Sequence, residues 1–357
     1  MRKLLCALML VCVLCLAGAA LAEDMVYFGD YAVPADATAI DLGDVKVKDF
    51  AAFEAFLDQL PNLQRVDMFA TEVKKDRINE LAERYPNIRF GWTMVIATTD
   101  HRHYIRTDAT AFSTLHNNKF KTHSSADFEI LKYCPDLLAL DVGHNGIDDL
   151  SFLYDLPKLR VLILACNRIT DITPLASLTD LQYAELFKNS ITDITPLAGL
   201  TNLLDLNICF NRIKDWTPLY GLTNLERLWI YNSNNYSEDI PVPKDVVNGI
   251  KAALPNAYVD STHYSTEGGW RVHERYDIIF ATFNSGVDRY HSGTYVPFDR
   301  EPDGNVQPVT VHAIQTMTPV SALETAEEIA APAEPVVTPE PVPTPVPMKQ
   351  VRVVVGK

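Results

Sequence analysis

The sequence predicts an α/β repeat, a right-handed solenoid with a parallel concave sheet, and three observations carry that prediction. Asn145, Asn167, Asn189 and Asn211 stand 22 residues apart. Apolar columns keep the same spacing, Leu137, Leu159, Leu181, Leu203 and Leu225 in one and Ile147, Ile169, Ile191 and Ile213 in another. Each unit opens with the alternation of a short strand and closes on a proline-led return, at Pro174, Pro196 and Pro218. A period this regular marks stacked units that bury a core only against their neighbours.

In Leu159-Arg160-Val161-Leu162-Ile163-Leu164, residues 162 and 164 share one strand face and residues 161 and 163 the other. One face fills the core, and the other forms the concave sheet. The recurrent Asn stands where the chain leaves the strand, where its amide can satisfy backbone groups of the turn and of the next coil. Stacked, Asn145, Asn167, Asn189 and Asn211 would form a structural ladder, with Asn145 mattering less if the coil before it is irregular. Proline, with φ fixed and no N–H, suits the start of the return segment. Leu175 and Leu178 close the core from the convex side.

A unit such as Leu181 to Leu200, LQYAELFKNSITDITPLAGL, has the leucine-rich pattern. From about Cys134 to Asn234 the chain resembles the 22-residue repeats of the internalins and related bacterial surface proteins. The resemblance implies a leucine-rich-repeat solenoid that binds a protein partner, through residues that vary from member to member.

The elements follow in order. Residues 1–22 read as a secretory signal peptide: Arg2-Lys3, an apolar run from Leu4 to Ala17, then Ala20-Leu21-Ala22. The apolar run falls short of the ~20 residues of a spanning helix. This implies a secreted or cell-surface protein with no membrane insertion after cleavage. Residues 23–133 carry a looser template, with strands expected near residues 40, 66, 90 and 112 and amphipathic stretches between them; a separate α/β cap is the alternative. Residues 134–235 hold the regular repeats. Residues 236–300 hold a last irregular coil, helical over Val246 to Ala253, and an aromatic segment from Gly268 to Phe283 suited to covering the terminal core. About ten parallel strands along one concave face are expected. From Glu301 to Lys357 the composition turns to Pro, Thr, Val and Glu, with seven prolines between Pro332 and Pro347, as in a disordered, extended tail.

Loss of residues 1–22 removes two positive charges, so a formal charge of −15 becomes −17. An acidic body of this kind repels nucleic acid. Cys134, Cys166 and Cys209 remain and form no disulfide framework. Cys166 and Cys209, two coils apart, are expected as free thiols, with Cys166 buried and Cys209 exposed on the concave side. His101 and His103 would share one face of an extended strand, but no further ligands accompany these two exposed imidazoles. No metal, cofactor or catalytic constellation is readable, and the sequence points to a binding protein rather than an enzyme.

The concave columns carry the candidate site. They are Ala139, Val161, Tyr183, Asp205 and Arg227; then Asp141, Ile163, Glu185, Asn207 and Trp229; then Gly143, Ala165, Phe187, Cys209 and Tyr231. The first two coils are small or aliphatic. The later three gather Tyr183, Phe187, Trp229 and Tyr231 around Glu185, Asp205, Asn207 and Arg227, the composition of a protein-binding hot spot on a solvated sheet. A glycan or cell-wall ligand, stacked on the same rings, and a structural envelope role are the alternatives.

Overall fold

The computed structural model describes residues 24–97, 102–114, 123–234, 238–262, 269–284, 292–298, 315–316 and 318–319. The expected signal segment, residues 1–22, and most of the proline-rich tail lie outside these residues.

Strands β1 (Met25–Phe28) and β2 (Tyr31–Pro34) form an antiparallel hairpin ahead of β3 (Ala39–Asp41). Helix α1 (Phe50–Leu57) starts where the Asp49 carboxylate accepts the Ala52 N–H at 3.1 Å, and it buries Phe53, Phe56 and Leu57. Strand β4 (Arg65–Val73), helix α2 (Lys75–Arg84) and strand β5 (Arg89–Ala97) follow, and β3, β4 and β5 pair in parallel. These are helix-backed coils, with strands where the looser template expects them near residues 40, 66 and 90.

The chain then departs from a ten-strand sheet. Strand β6 (Arg102–Arg106) folds back antiparallel on β5 and occupies the edge that the next parallel strand would need. Consequently β7 (Ala111–Ser113) opens a second sheet, with β8 (Ala139–Asp141), β9 (Val161–Ile163), β10 (Tyr183–Glu185), β11 (Asp205–Asn207) and β12 (Arg227–Trp229) stacked in sequence order. After the hairpin of β13 (Asn232–Asn234) and β14 (Glu238–Ile240), helix α3 (Lys244–Ala253) leads to β15 (Tyr258–Asp260), which pairs in parallel with β12. Seven parallel strands thus line this face. The two sheets share one hydrophobic core that runs from Val26 to Val259.

The return segments of the regular coils are short 3-10 turns, at Thr173–Ser177 and Thr217–Gly221 for example. Each begins where an aspartate carboxylate accepts the backbone N–H two residues on, as Asp171 does from Thr173 at 2.8 Å and Asp193 from Thr195 at 2.8 Å. The asparagine ladder is present. Asn189 Oδ1 accepts the Ile169 N–H at 3.1 Å, while its Nδ2 donates to the carbonyls of Leu164 and Leu186, each at 3.0 Å. Asn167 and Asn211 repeat the pattern. Asn145 is no weaker a rung than the others: it donates to Thr114 Oγ1 at 2.9 Å and to the carbonyls of Val142 and Gly143. Although Ser233 breaks the period, Asn232 supplies the next rung and accepts from the Ile213 N–H at 3.1 Å. The residue before each of the four periodic asparagines takes a left-handed conformation, with φ of 57° at His144, 61° at Cys166, 59° at Lys188 and 63° at Phe210. This turns the chain sharply off the strand and sends its N–H to the next coil, as from Lys188 to the Cys209 carbonyl at 3.0 Å.

Helix α4 (Glu274–Asn284) and strand β16 (Ser292–Gly293) complete the body, β16 pairing antiparallel with β7 at the first edge of the seven-strand face. Two short strands lie within the tail expected to be disordered. Strand β17 (Gln315–Thr316) pairs in parallel with β3, and β18 (Thr318–Pro319) pairs antiparallel with β2.

Candidate functional site

The aromatic segment that follows Gly268 does not cover the end of the solenoid; it lies across the concave sheet. The concave columns supply the reason. Ala111, Ala139, Val161 and Ala165 leave a shallow trough at one end, and Ile279 and Phe283 of α4 pack in the same apolar cluster with them. At the other end Gly269, at φ 93°, swings the chain so that Trp270 is wholly buried, 5.4 Å from the Tyr183 ring and 5.2 Å from Trp229. The return past β16 needs Gly293, since a Cβ there would stand 2.2 Å from the Thr282 carbonyl oxygen. Phe298 then closes over Tyr183 at 6.5 Å.

Polar groups fasten this cover. Trp270 Nε1 donates to Glu185 Oε1 at 2.7 Å, and the Tyr183 hydroxyl donates to the same oxygen. Arg275 bridges Asp205 at 2.8 Å and Glu226 at 2.6 Å. The Arg227 guanidinium lies 4.4 Å from the Trp270 ring and donates to the Trp270 carbonyl. Burial raises the carboxyl groups of Glu185 and Asp205 above their ordinary values and lowers Arg227. Asp141, fully buried nearby, is pushed up to about 7.

The structure therefore brings the predicted residues together, but not on a solvated surface. Tyr183, Glu185, Asp205, Asn207, Arg227, Trp229 and Tyr231 are buried, and Phe187, beside Phe210, is half-buried at the margin. Cys209 is buried under the cover, whereas Cys166 is half-exposed, the reverse of the expectation; neither these two nor Cys134 is in a disulfide. His103 is not exposed either, since it packs 5.0 Å from His123 and 6.3 Å from Phe112; His101 lies outside the described residues. Trp270 and Arg275 are the site residues that repeat counting misses. Their signal was the small early columns beside an amphipathic 274–284 stretch, each of which needs the other.

Under the cover, four polar atoms on two adjacent strands find no hydrogen-bond partner in the protein: Asp205 Oδ2, Asn207 Nδ2, Arg227 Nη1 and Trp229 Nε1. Asp205 Oδ2 and Arg227 Nη1 face one another at 3.5 Å, close enough to attract as an ion pair but too long for a strong bond. Among the described residues no group of three or more His, Cys, Asp or Glu could hold a metal ion, and no helix is long and apolar enough to cross a membrane.

The repeat family described as leucine-rich repeats in two copies matches residues 135–177 and 201–244, the stretches that hold β8, β9, β11 and β12 with their 3-10 returns. The array is a leucine-rich-repeat solenoid. Among solved structures, this chain is similar to internalin C2 of Listeria monocytogenes, with 25% identity and a TM-score of 0.33 over 58% of this chain and 74% of that one. It is similar also to internalin F of the same organism, with 20% identity and a TM-score of 0.31 over 63% and 67%. The Arabidopsis receptor kinase HAESA, solved with a peptide hormone and a co-receptor, shows 16% identity and a TM-score of 0.27 over 66% and 32%. No curated protein matches the sequence.

Proposed function

We propose that this chain is an exported protein-recognition module whose concave leucine-rich face is its contact surface, and whose residues 269–284 and 292–298 occupy that face until a partner replaces them. The observation that carries the proposal is the mismatch beneath the cover. Asp205, Asn207, Arg227 and Trp229 are buried, yet each leaves a polar atom without a hydrogen bond. Each such atom costs about 1–3 kcal/mol, which a partner that paired them would recover. A face that served only as core would be expected to carry apolar groups here, as it does at Ala139 and Val161. Export rests on the composition of residues 1–22, and the binding role on the hot-spot chemistry of the rings and charges.

The test compares three mature proteins against a pool of purified surface proteins: wild type, the opened variant Trp270→Ala/Arg275→Ala, and the opened variant carrying Trp229→Ala as well. The opened variant should bind a partner more tightly than wild type, and Trp229→Ala should cost about 2 kcal/mol of that affinity. If the opened protein stays folded and gains no binding, or if Trp229→Ala changes nothing, the concave face is not the contact surface.

A further inference from the structure

Where the cover meets the last two strands it leaves an open cleft of about 450 Å³, within the roughly 300–1,000 Å³ of small-molecule sites. Trp229 and Tyr258 form one wall, their rings 5.2 Å apart and tilted by 45°. Tyr258 is 60% exposed, and Val272, on the opposite lip, is 84% exposed. Both are apolar surfaces that a folded chain usually covers. The rim is polar, with Glu226, His273 and the backbone of Gly269. His273 Nδ1 accepts the Arg275 N–H at 3.1 Å, so a neutral imidazole carries its proton on Nε2, as a donor. Burial, with the charge of Arg227, favours that neutral form. Trp229 is itself buried and backs the exposed Tyr258 ring.

Charge narrows the ligand. The Arg227 guanidinium already lies 5.2 Å from the Trp229 ring, and Arg275 already engages Glu226, so a further cation is disfavoured. The Glu226 carboxylate on the rim disfavours an anion. What fits aromatic walls within a ring of donors and an acceptor is a neutral ring with an apolar face and a polar perimeter. We infer that this cleft binds a single neutral pyranose sugar, its C–H face against Tyr258 and Trp229 and its hydroxyls toward Glu226 and His273. Because Gly269, Val272 and His273 belong to the cover, the sugar would bind the closed protein only and would hold it closed.

The probes are glucose, galactose, mannose and N-acetylglucosamine, each titrated into the mature wild-type protein and followed by saturation-transfer NMR. At least one should bind in the millimolar range. Tyr258→Ala, at an exposed site and so expected to melt as wild type does, should weaken it by about tenfold or more, while Tyr154→Ala, an exposed tyrosine on a return segment, should not. The opened variant Trp270→Ala/Arg275→Ala should lose the sugar. Binding of none of the four sugars, unchanged binding by Tyr258→Ala, or binding of N-acetyltryptophanamide in place of every sugar would each overturn the inference. A failed protein capture would leave this titration unaffected, so the two proposals fail separately.

Discussion

Asn189 satisfies one backbone N–H and two carbonyls from two coils at once, all out of reach of water. Asn189→Ala would strand those groups, and a loss of about 1–3 kcal/mol is expected in chemical denaturation; Asn145→Ala, whose amide is as fully engaged, should cost a similar amount. Equal midpoints for parent and variants would rule the ladder out as a source of stability. A different residue sets the response to pH. Burial pushes the Asp141 carboxyl up to about 7, Gly143 and Ser113 opposing this by donating to it and Glu185 reinforcing it. The folded state thus holds this proton more tightly than the unfolded chain, where the value is near 3.8. Its stabilising contribution is complete below pH about 4 and is lost as pH rises through about 7. Wild type should therefore lose melting temperature relative to Asp141→Asn across that window, and a difference that stays flat from pH 4 to 8 would contradict the assignment. The ladder was readable from spacing alone because each rung repeats one local geometry. Asn232 was not, because it lies one residue off the period while filling the same place in space.

Helix α4 and its flanks show what a repeat period cannot report. The period fixes which residues of each coil face inward and which face the concave side, since both follow from alternation within a strand. It carries no information on what lies against the concave side, because that partner comes from a non-repeating segment far along the chain. Trp270 meets Glu185 and Arg275 meets Asp205 across separations that no local pattern spans. Arg275 is the strongest of these links. Arg275→Ala leaves Asp205, fully buried, facing only Arg227 at 3.5 Å. Removal of one partner from a buried pair typically costs about 3–5 kcal/mol. The expected outcome is selective: hydrogen exchange should speed up in α4 and β16 while β8 to β10 remain protected. Uniform acceleration across the whole solenoid would show instead that cover and sheet unfold together.

At the scale of the molecule, two sheets, each parallel but for one antiparallel edge strand, share one core, and the break between them follows from the β5–β6 hairpin rather than from any lapse in apolar content. The strands near residues 66 and 90 were readable from their lead-ins Pro61-Asn62 and Pro86-Asn87, and those near 40 and 112 from the recurring Asp36-Ala37-Thr38-Ala39-Ile40 and Asp108-Ala109-Thr110-Ala111-Phe112; the antiparallel return at Arg102–Arg106 was not, because a hairpin strand and a solenoid strand share the same alternation. The central claim is that residues 269–284 and 292–298 close the concave face, and three cysteines among the described residues can test it. Cys134 lies in the core, Cys166 is half-exposed on a turn, and Cys209 lies on the concave sheet beneath the cover, where burial raises its thiol well above the ordinary value. Thiol labelling of the native mature protein, read by mass spectrometry, should modify Cys166 first and leave Cys209 and Cys134 protected; in Trp270→Ala/Arg275→Ala, Cys209 should become reactive while Cys134 stays protected. Labelling of Cys209 in the wild type as fast as Cys166 would contradict the closed face.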